Sequence, residues 1–305
     1  MVKTNARTPK NRIRSSSFDR GFDFVNLTLI TLILVVVAYP LLYVISASFS
    51  DPILVSSGKV LLWPKGVTLE GYQKIFESTE IWRSFYNSVC YTVIGTTLNI
   101  VMTVMAAYPL ARSNLVGRRP ISLLLTFTMY FSGGMIPSFL VVKMLGLYDS
   151  FWALIIPGAV STYNMIVMRS FFESSIPEEL HDAADIDGCN DYQYLLKILL
   201  PLSKPVLAVM VLFYGTGHWN AFFNAIIYLR DSADYPLQVV LRNILLKNVL
   251  SENMITDFGG AATYTHTAEI IKYGLIIVSS IPMMIMYPFV QKHFVKGVMI
   301  GSIKG

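Results

Sequence analysis

Seven carboxylates crowd one short stretch: Glu173, Glu178, Glu179, Asp182, Asp185, Asp187 and Asp191, with no Lys or Arg among them. Paired carboxylates can serve as general acid and base, so the first question is whether these do. Their surroundings argue for another role. Ser175-Ile176-Pro177-Glu178 reads as a capped helix start, with Ser as N-cap, Glu three residues on and Pro in the first turn. Leu180, Ala183, Ala184 and Asp187-Gly188 then recur at helical spacing, a small shallow face ending at a glycine able to take the left-handed conformation. Asn190 and Gln193 can cap a second helix, with Tyr192, Leu195, Leu196 and Leu199 as its apolar stripe up to Pro201. The product is a helix–turn–helix with small residues on one face and an acidic, solvent-facing rim. That is a shape for docking.

The same residues carry a resemblance. Asp182-Ala183-Ala184, then Asp187-Gly188 and Ile198-Leu199-Leu200-Pro201, resemble the "EAA" loop of binding-protein-dependent ABC importer permeases, with Asp182 where Glu is usual. The likeness extends to Tyr39-Pro40, Ser48-Phe49-Ser50, Gly146-Leu147-Tyr148-Asp149-Ser150, His218-Trp219-Asn220 and the terminus Phe294–Gly305. It is similar to the carbohydrate-uptake branch, maltose-permease-like and nearer the oligosaccharide permeases. The resemblance implies a second, related permease subunit, two cytoplasmic ATPase subunits that bind ATP and Mg, and an extracellular or periplasmic solute-binding protein. It implies a bacterial cytoplasmic membrane location. Glu179, Asp182, Ala183, Ala184, Asp187, Gly188 and Pro201 would then meet an ATPase. The tail Gly297–Gly305 would extend between the ATPases, and the segment Arg230–Lys272 would touch the binding protein.

Composition independently places the chain in a bilayer. Of 305 residues, 54% are hydrophobic and only 14% charged, against roughly a quarter charged in soluble domains. The net charge of +5 comes from scattered basic residues, with no reading face for nucleic acid. Cys90 and Cys189 fall at opposite ends of the expected bundle, and no Cys/His spacing suggests a metal.

Six uncharged runs reach or approach the ~20 residues that span a bilayer: Phe24–Ser50, Phe85–Ala111, Ile121–Val142, Ser150–Met168, Pro205–Leu229 and Tyr273–Gln291. The expected fold is all-α, a six-helix transmembrane domain over 21–292. A basic tail (1–20) precedes it and a C-terminal tail (293–305) follows. The acidic loop (170–204) joins helices 4 and 5, and a long loop (230–272) joins 5 and 6. Asp51–Ser84 reads as polar loop. Within 230–272, Leu237–Leu246 reads as a short amphipathic helix and Gly259–Thr263 as flexible. Pro109, Pro137, Pro157, Pro282 and Pro288 suggest kinked or broken helices. Segments sharing the N-terminal side hold 15 Lys and Arg, the others 9. This bias predicts N-in and C-in, with the acidic loop in the cytoplasm.

Transport needs an energy source. The six runs hold no ionisable residue except His218, and the chain has no Gly-x-x-x-x-Gly-Lys-Ser/Thr phosphate loop. The chain is therefore expected to bind no cofactor and catalyse no reaction itself, and to be driven by a separate motor. For the solute path, the fifth run offers Tyr214, His218, Trp219, Asn220, Phe223 and Asn224, with Asn220 and Asn224 one turn apart, and the fourth offers Tyr163 and Asn164. Amides can bond sugar hydroxyls while aromatic rings cover C–H faces. The bland reading makes these interface aromatics and helix glue, and it makes lone His181 and His266 solvated. Competing functions are an autonomous secondary carrier and a permease for a non-sugar solute. A membrane enzyme lacks any nucleophile–base or carboxylate pair within a run.

Overall fold

The computed structural model describes residues 17–253 and 261–301, with side chains described over 18–246 and 271–291. Among the described residues it is helical throughout, with no strand. Three helices are long and apolar enough to cross a membrane, and three further bent pairs qualify if each counts as one span.

The chain divides into two compact units at Thr68. In the first, α1 (Ser17–Ser48) is apolar on every side and exposed along most of its length, the pattern of a helix whose solvent is lipid. The basic tail expected over 1–20 lies outside the described residues up to 16, and α1 already begins at Ser17. The Ser48-Phe49-Ser50 end of α1 is an anchor. Ser50 Oγ accepts from the Lys65 backbone N–H at 3.0 Å, and Phe49 C=O accepts from Thr68 N–H at 2.9 Å. Asp51 caps the short α2 (Pro52–Ser56).

The second unit starts with α3 (Glu70–Glu77), so the expected loop over Asp51–Ser84 is partly helical: Ile75, Ile81 and Phe85 pack beside Leu275. The physical reason is that α3 alternates apolar and polar sides on a helical period too short to stand out in the sequence. Next comes α4 (Thr79–Ala111), which packs most extensively against the later helices Lys204–Trp219 and Thr162–Ser175. Its buried residues Ser84, Ser88, Tyr91, Gly95, Asn99, Thr103, Ala107 and Leu110 recur every three or four positions. This face is small and polar, which lets helices approach closely and bond across.

The third expected span is not one helix. α5 (Arg118–Tyr130) and α6 (Met135–Met144) are bent by 116° at residues 131–134. The break falls at Gly133-Gly134, with Gly134 at φ +87°, and Pro137 sits harmlessly in the first turn of α6. Ser132 and Ser138 side chains bond Gly134 N–H and C=O. The fourth span opens as two 3₁₀ turns, Phe151–Leu154 and Ile156–Gly158, and bends by 50° into α7 (Thr162–Ser175). Beyond α8 (Glu179–Ile186) comes α9 (Asp191–Tyr194), a π turn (Leu195–Leu199) and α10 (Leu200–Leu202), and the chain turns by 81° into α11 (Lys204–Trp219). The fifth run was expected to be continuous from Pro205 to Leu229, yet it stops at Trp219 and resumes as α12 (Phe223–Tyr228).

α13 (Leu237–Asn253) confirms and lengthens the expected amphipathic helix. α14 (Ala261–Gly301) carries Pro282 and Pro288 without a break. It begins at Ala261, so Ala261–Thr263 are helical, contrary to expectation, while Gly259 and Gly260 lie outside the described residues. The C-terminal tail is helical as far as Gly301, and 302–305 also lie outside.

Broken helices free backbone groups that need partners, and the polar face of α4 supplies them. Asn99 Nδ2 donates to Gly158 C=O at the break before α7. Ser161 N–H at that break donates to Tyr214 Oη at 3.2 Å, and Tyr214 Oη meets Thr103 Oγ1 at 2.6 Å. Asn99 Oδ1 also lies 2.6 Å from His218 Nε2. Ser88 Oγ accepts from Leu237 N–H at 2.8 Å where α13 begins. A Cβ on Gly95 would fall 2.5–2.9 Å from three atoms of the His218 ring. Gly95→Val is therefore expected to cost about 1–3 kcal/mol by overpacking, read as a lowered thermal midpoint of the purified protein in detergent. Gly217→Ala, whose Cβ would meet nothing within 4 Å, is expected to leave that midpoint unchanged.

Candidate docking elbow

The acidic segment folds as two short helices at one end of α4, α7 and α11. Its start differs from expectation. Ser175 is the last residue of α7, and α8 begins at Glu179 with Glu178 in the cap position and no side-chain cap. Pro177 holds Ile176 extended, which places the chain break after Ser175. Glu178 instead accepts from Ser113 Oγ in the α4–α5 connection.

α8 ends as expected. Gly188 adopts φ +76°; Cys189 N–H donates to Ala184 C=O at 2.9 Å and Gly188 N–H to Asp185 C=O at 3.0 Å. This is a Schellman closure. A Cβ at Gly188 would meet nothing within 4 Å, so glycine is demanded here by backbone conformation and not by space. The second helix is capped as predicted: Gln193 N–H donates to Asn190 Oδ1 at 2.9 Å, and Asn190 N–H to Gln193 Oε1 at 3.3 Å.

Which side chains point outward was only partly predicted. Ala183 and Ala184 do not share a face: Ala184 is buried among Phe172, Tyr194 and Leu199, while Ala183 is exposed. The outward stripe is Glu179, Asp182, Ala183 and Ile186, at positions i, i+3, i+4 and i+7. Asp187 and Gly188 are exposed beside it. Ile186, 87% exposed, was missed, though its spacing from Glu179 and Asp182 was the available signal. On the second helix Tyr192 and Leu196 are exposed, and Tyr194 turns inward in their place. The π turn inserts an extra residue per turn and shifts the buried face. Pro201 is exposed within α10, just before the 81° bend.

His181 was expected to be solvated and is 3% exposed. Its Nδ1 lies 3.1 Å from Asp185 Oδ2 and its Nε2 3.4 Å from Asp191 Oδ1, and its ring meets Tyr194 edge-on at 4.6 Å. Tyr108 Oη, near the end of α4, donates to Asp191 at 3.0 Å. That bond foremost, joined by His181 and Arg112, holds the Asp191 carboxyl below its ordinary range against the opposing effect of desolvation. Single-sequence periodicity could not reveal this, because the partners come from three elements. Behind the elbow, Glu173 accepts from Arg118 and from Arg169 Nε (2.8 Å), and Arg169 Nη1 donates to Ser122 Oγ at 2.7 Å. Between these groups lies a cleft of about 610 Å³, lined by Tyr108, Arg112, Glu178 and His181 among others.

The residues expected on a solute path separate into two sets. Asn164, Tyr214 and Trp219 are buried; Trp219 is 2% exposed and donates from Nε1 to Ser279 C=O at 2.9 Å. Tyr214 and His218 are bonded to α4 as described. Tyr163, Asn220, Phe223 and Asn224 remain exposed. Asn220 and Asn224 are not one turn apart on a helix, because Asn220 ends α11 and Asn224 belongs to α12. The 16 residues of α11, about 24 Å long, lie between the 81° bend and this second group.

A bundle with broken helices and an externally braced elbow defines a membrane transport component. Residues 99–300 match the family model described as "Binding-protein-dependent transport system inner membrane component", and the chain belongs to that family. It is similar to the polygalacturonan/rhamnogalacturonan transport system permease protein YtcP of Bacillus subtilis, at 42% identity over 94% of this chain and 99% of that protein. It is also similar to the arabinooligosaccharides transport system permease protein AraQ of Halalkalibacterium halodurans, at 30% identity over 88% of this chain and 92% of the relative. A solved chain of a bacterial ABC transporter involved in the import of the acidic polysaccharide alginate superposes with a TM-score of 0.84, at 34% identity, covering 93% of this chain and 100% of that one. The chain is thus a permease component of the ABC type.

Replacing His181 with Ala empties a buried ring site against Tyr194. The expected cost is about 2–4 kcal/mol, seen as faster hydrogen–deuterium exchange of the 179–194 amides with α4 unaffected; His181→Asn is expected to recover part of the protection.

Proposed function

We propose that this chain forms one half of the translocation path of an ABC importer for a carbohydrate, an oligosaccharide, in the bacterial cytoplasmic membrane. Three long helices, the two bent pairs α5–α6 and Phe151–Gly158 with α7, and α11 continued by α12 make six spans over 21–292, with both termini in the cytoplasm, consistent with the Lys and Arg distribution. The elbow (170–204) then faces the cytoplasm and docks on one of two separate ATPase subunits, which bind ATP and Mg. The other half of the path is a second, related permease, and a binding protein delivers solute to the outer side near 230–272. Saccharides named for the relatives support the substrate class.

The observation that carries the reading is the outward stripe Glu179–Asp182–Ala183–Ile186, with Gly188 at its end, on a helix whose inner face is locked by His181 and Ala184. An exposed isoleucine ringed by carboxylates is a contact surface for a partner with a matching apolar and basic cleft. ATP-driven closure of the motors would move this rigid elbow, and through α7 and α11 the bundle, in alternating access. Glu179, Asp182, Ala183, Ile186, Asp187 and Gly188 make the contact in this reading. Pro201 sets the bend that links it to α11.

Two experiments test this. Gly188→Val forces a β-branched residue into a left-handed backbone at about 1–2 kcal/mol, and Ile186→Asp places a charge in the contact. Both variants are expected to insert in the membrane normally and to lose saccharide uptake at least tenfold; normal uptake in both would remove the elbow's role. Reconstituted alone, the chain is expected to show no solute flux in an ion gradient. Flux under those conditions would make it a secondary carrier.

A further inference from the structure

At the end of the bundle remote from the elbow, two arginines are treated differently by the fold. Arg230 is a brace: Nε donates to Tyr148 Oη at 3.1 Å, the guanidinium lies 5.1 Å from the Tyr148 ring centre, and the backbone N–H donates to Asp149 Oδ1 at 2.9 Å. Arg242 makes no such bond among the described residues. Leu237, Val240, Leu241 and Ile244 turn one face of α13 into the core, which leaves Gln238 and Arg242, one turn apart, on another. Arg242 is exposed, and among the described residues no carboxylate pairs with it. Its guanidinium carbon lies 5.9 Å from the ring centre of Phe222. Phe222 sits in the break between α11 and α12, itself 40% exposed and flanked by exposed Asn220, Phe223 and Asn224.

We infer that Arg242 and Phe222 form a reading point for a carboxylate-bearing saccharide, a uronate unit, at the outer mouth of the path. The inference rests on the carbohydrate-permease reading and its orientation, and it narrows the substrate class. An aromatic face holds a guanidinium in place by cation–π attraction while leaving its fork of N–H donors free. That fork matches a carboxylate with two parallel bonds. The neighbouring aromatic rings cover sugar C–H faces, and Asn220 and Asn224 present amides to hydroxyls. A neutral sugar would use the rings and amides and accept only single N–H bonds from Arg242 on its hydroxyls, without the paired, charge-assisted contact.

The test uses the complete importer, with its binding protein and ATPases, in proteoliposomes. The probes are trisaccharides of galacturonate and of alginate, their methyl esters, and neutral arabinotriose. The wild type is expected to take up a free acid in preference to its ester. Arg242→Gln is expected to lower uptake of that acid about tenfold, equivalent to about 1.4 kcal/mol. Uptake of any neutral probe should stay within twofold, and Arg242→Lys, which keeps charge but loses the fork, should fall between. Binding-protein docking, measured by co-sedimentation, should not change. Undiminished acid uptake in Arg242→Gln, equal loss for acid and neutral probes, loss of docking, or a wild type that carries only arabinotriose would each overturn the inference. Were the wild type to carry none of the saccharides, the broader carbohydrate reading would fall with it.

Discussion

Backbone hydrogen bonding inside a bilayer is the constraint on which this structure depends. A lipid-embedded helix satisfies its own peptide groups, and any break exposes donors and acceptors that cost several kcal/mol each if left alone. This chain breaks two of its apolar runs sharply, by 116° and 50°, and turns by 81° where the acidic loop enters a third. It meets the cost in two ways. Local serines close the Gly133-Gly134 break, and Asn99 with Tyr214 closes the one before α7. α4 can do this because its inner face is made of Ser, Thr, Asn and Gly, small enough for helices to come near and polar enough to bond them.

The elbow repeats this logic outside the apolar zone. Two helices of only eight and four residues cannot hold their shape by intrinsic propensity. A Schellman closure at Gly188, a capping box at Asn190 and Gln193, and the buried His181 between Asp185 and Asp191 take over that task. The rigid inner side frees the outer side to be chosen for contact alone, and there carboxylates surround an isoleucine. In the proposed docking role rigidity is what such a part would need, since an element that yields would absorb motion instead of passing it to α7 and α11.

The aromatic and amide residues of the fifth run show how position decides role. Trp219 and Asn220 are neighbours, yet one is packed against α14 with its indole N–H on Ser279, and the other faces outward where α11 stops. His218, the one ionisable group in the apolar runs, is tied to Asn99 and pressed against Gly95. The alternation of buried and exposed positions at a helix end is therefore what separates glue from candidate solute contacts.

Much of this was legible in the residues themselves. The six apolar runs, the acidic helix–turn–helix, the left-handed Gly188, the Asn190–Gln193 cap and the helix at Leu237 all rest on local chemistry: transfer of side chains to lipid, backbone freedom of glycine, and bonds between residues a few positions apart. The loss of the Ser175 cap, the splitting of Ala183 from Ala184, the interior place of His181, and the end of the fifth helix at Trp219 were decided otherwise. Apart from the first, where Pro177 also acts locally, each depends on a partner far along the chain, such as Tyr108, Asn99 or Ser279. Sequence periodicity shows that a side chain has an inward and an outward option, but only packing between distant segments determines which is taken, because burial and hydrogen-bond satisfaction are properties of the assembled neighbours and not of one helix.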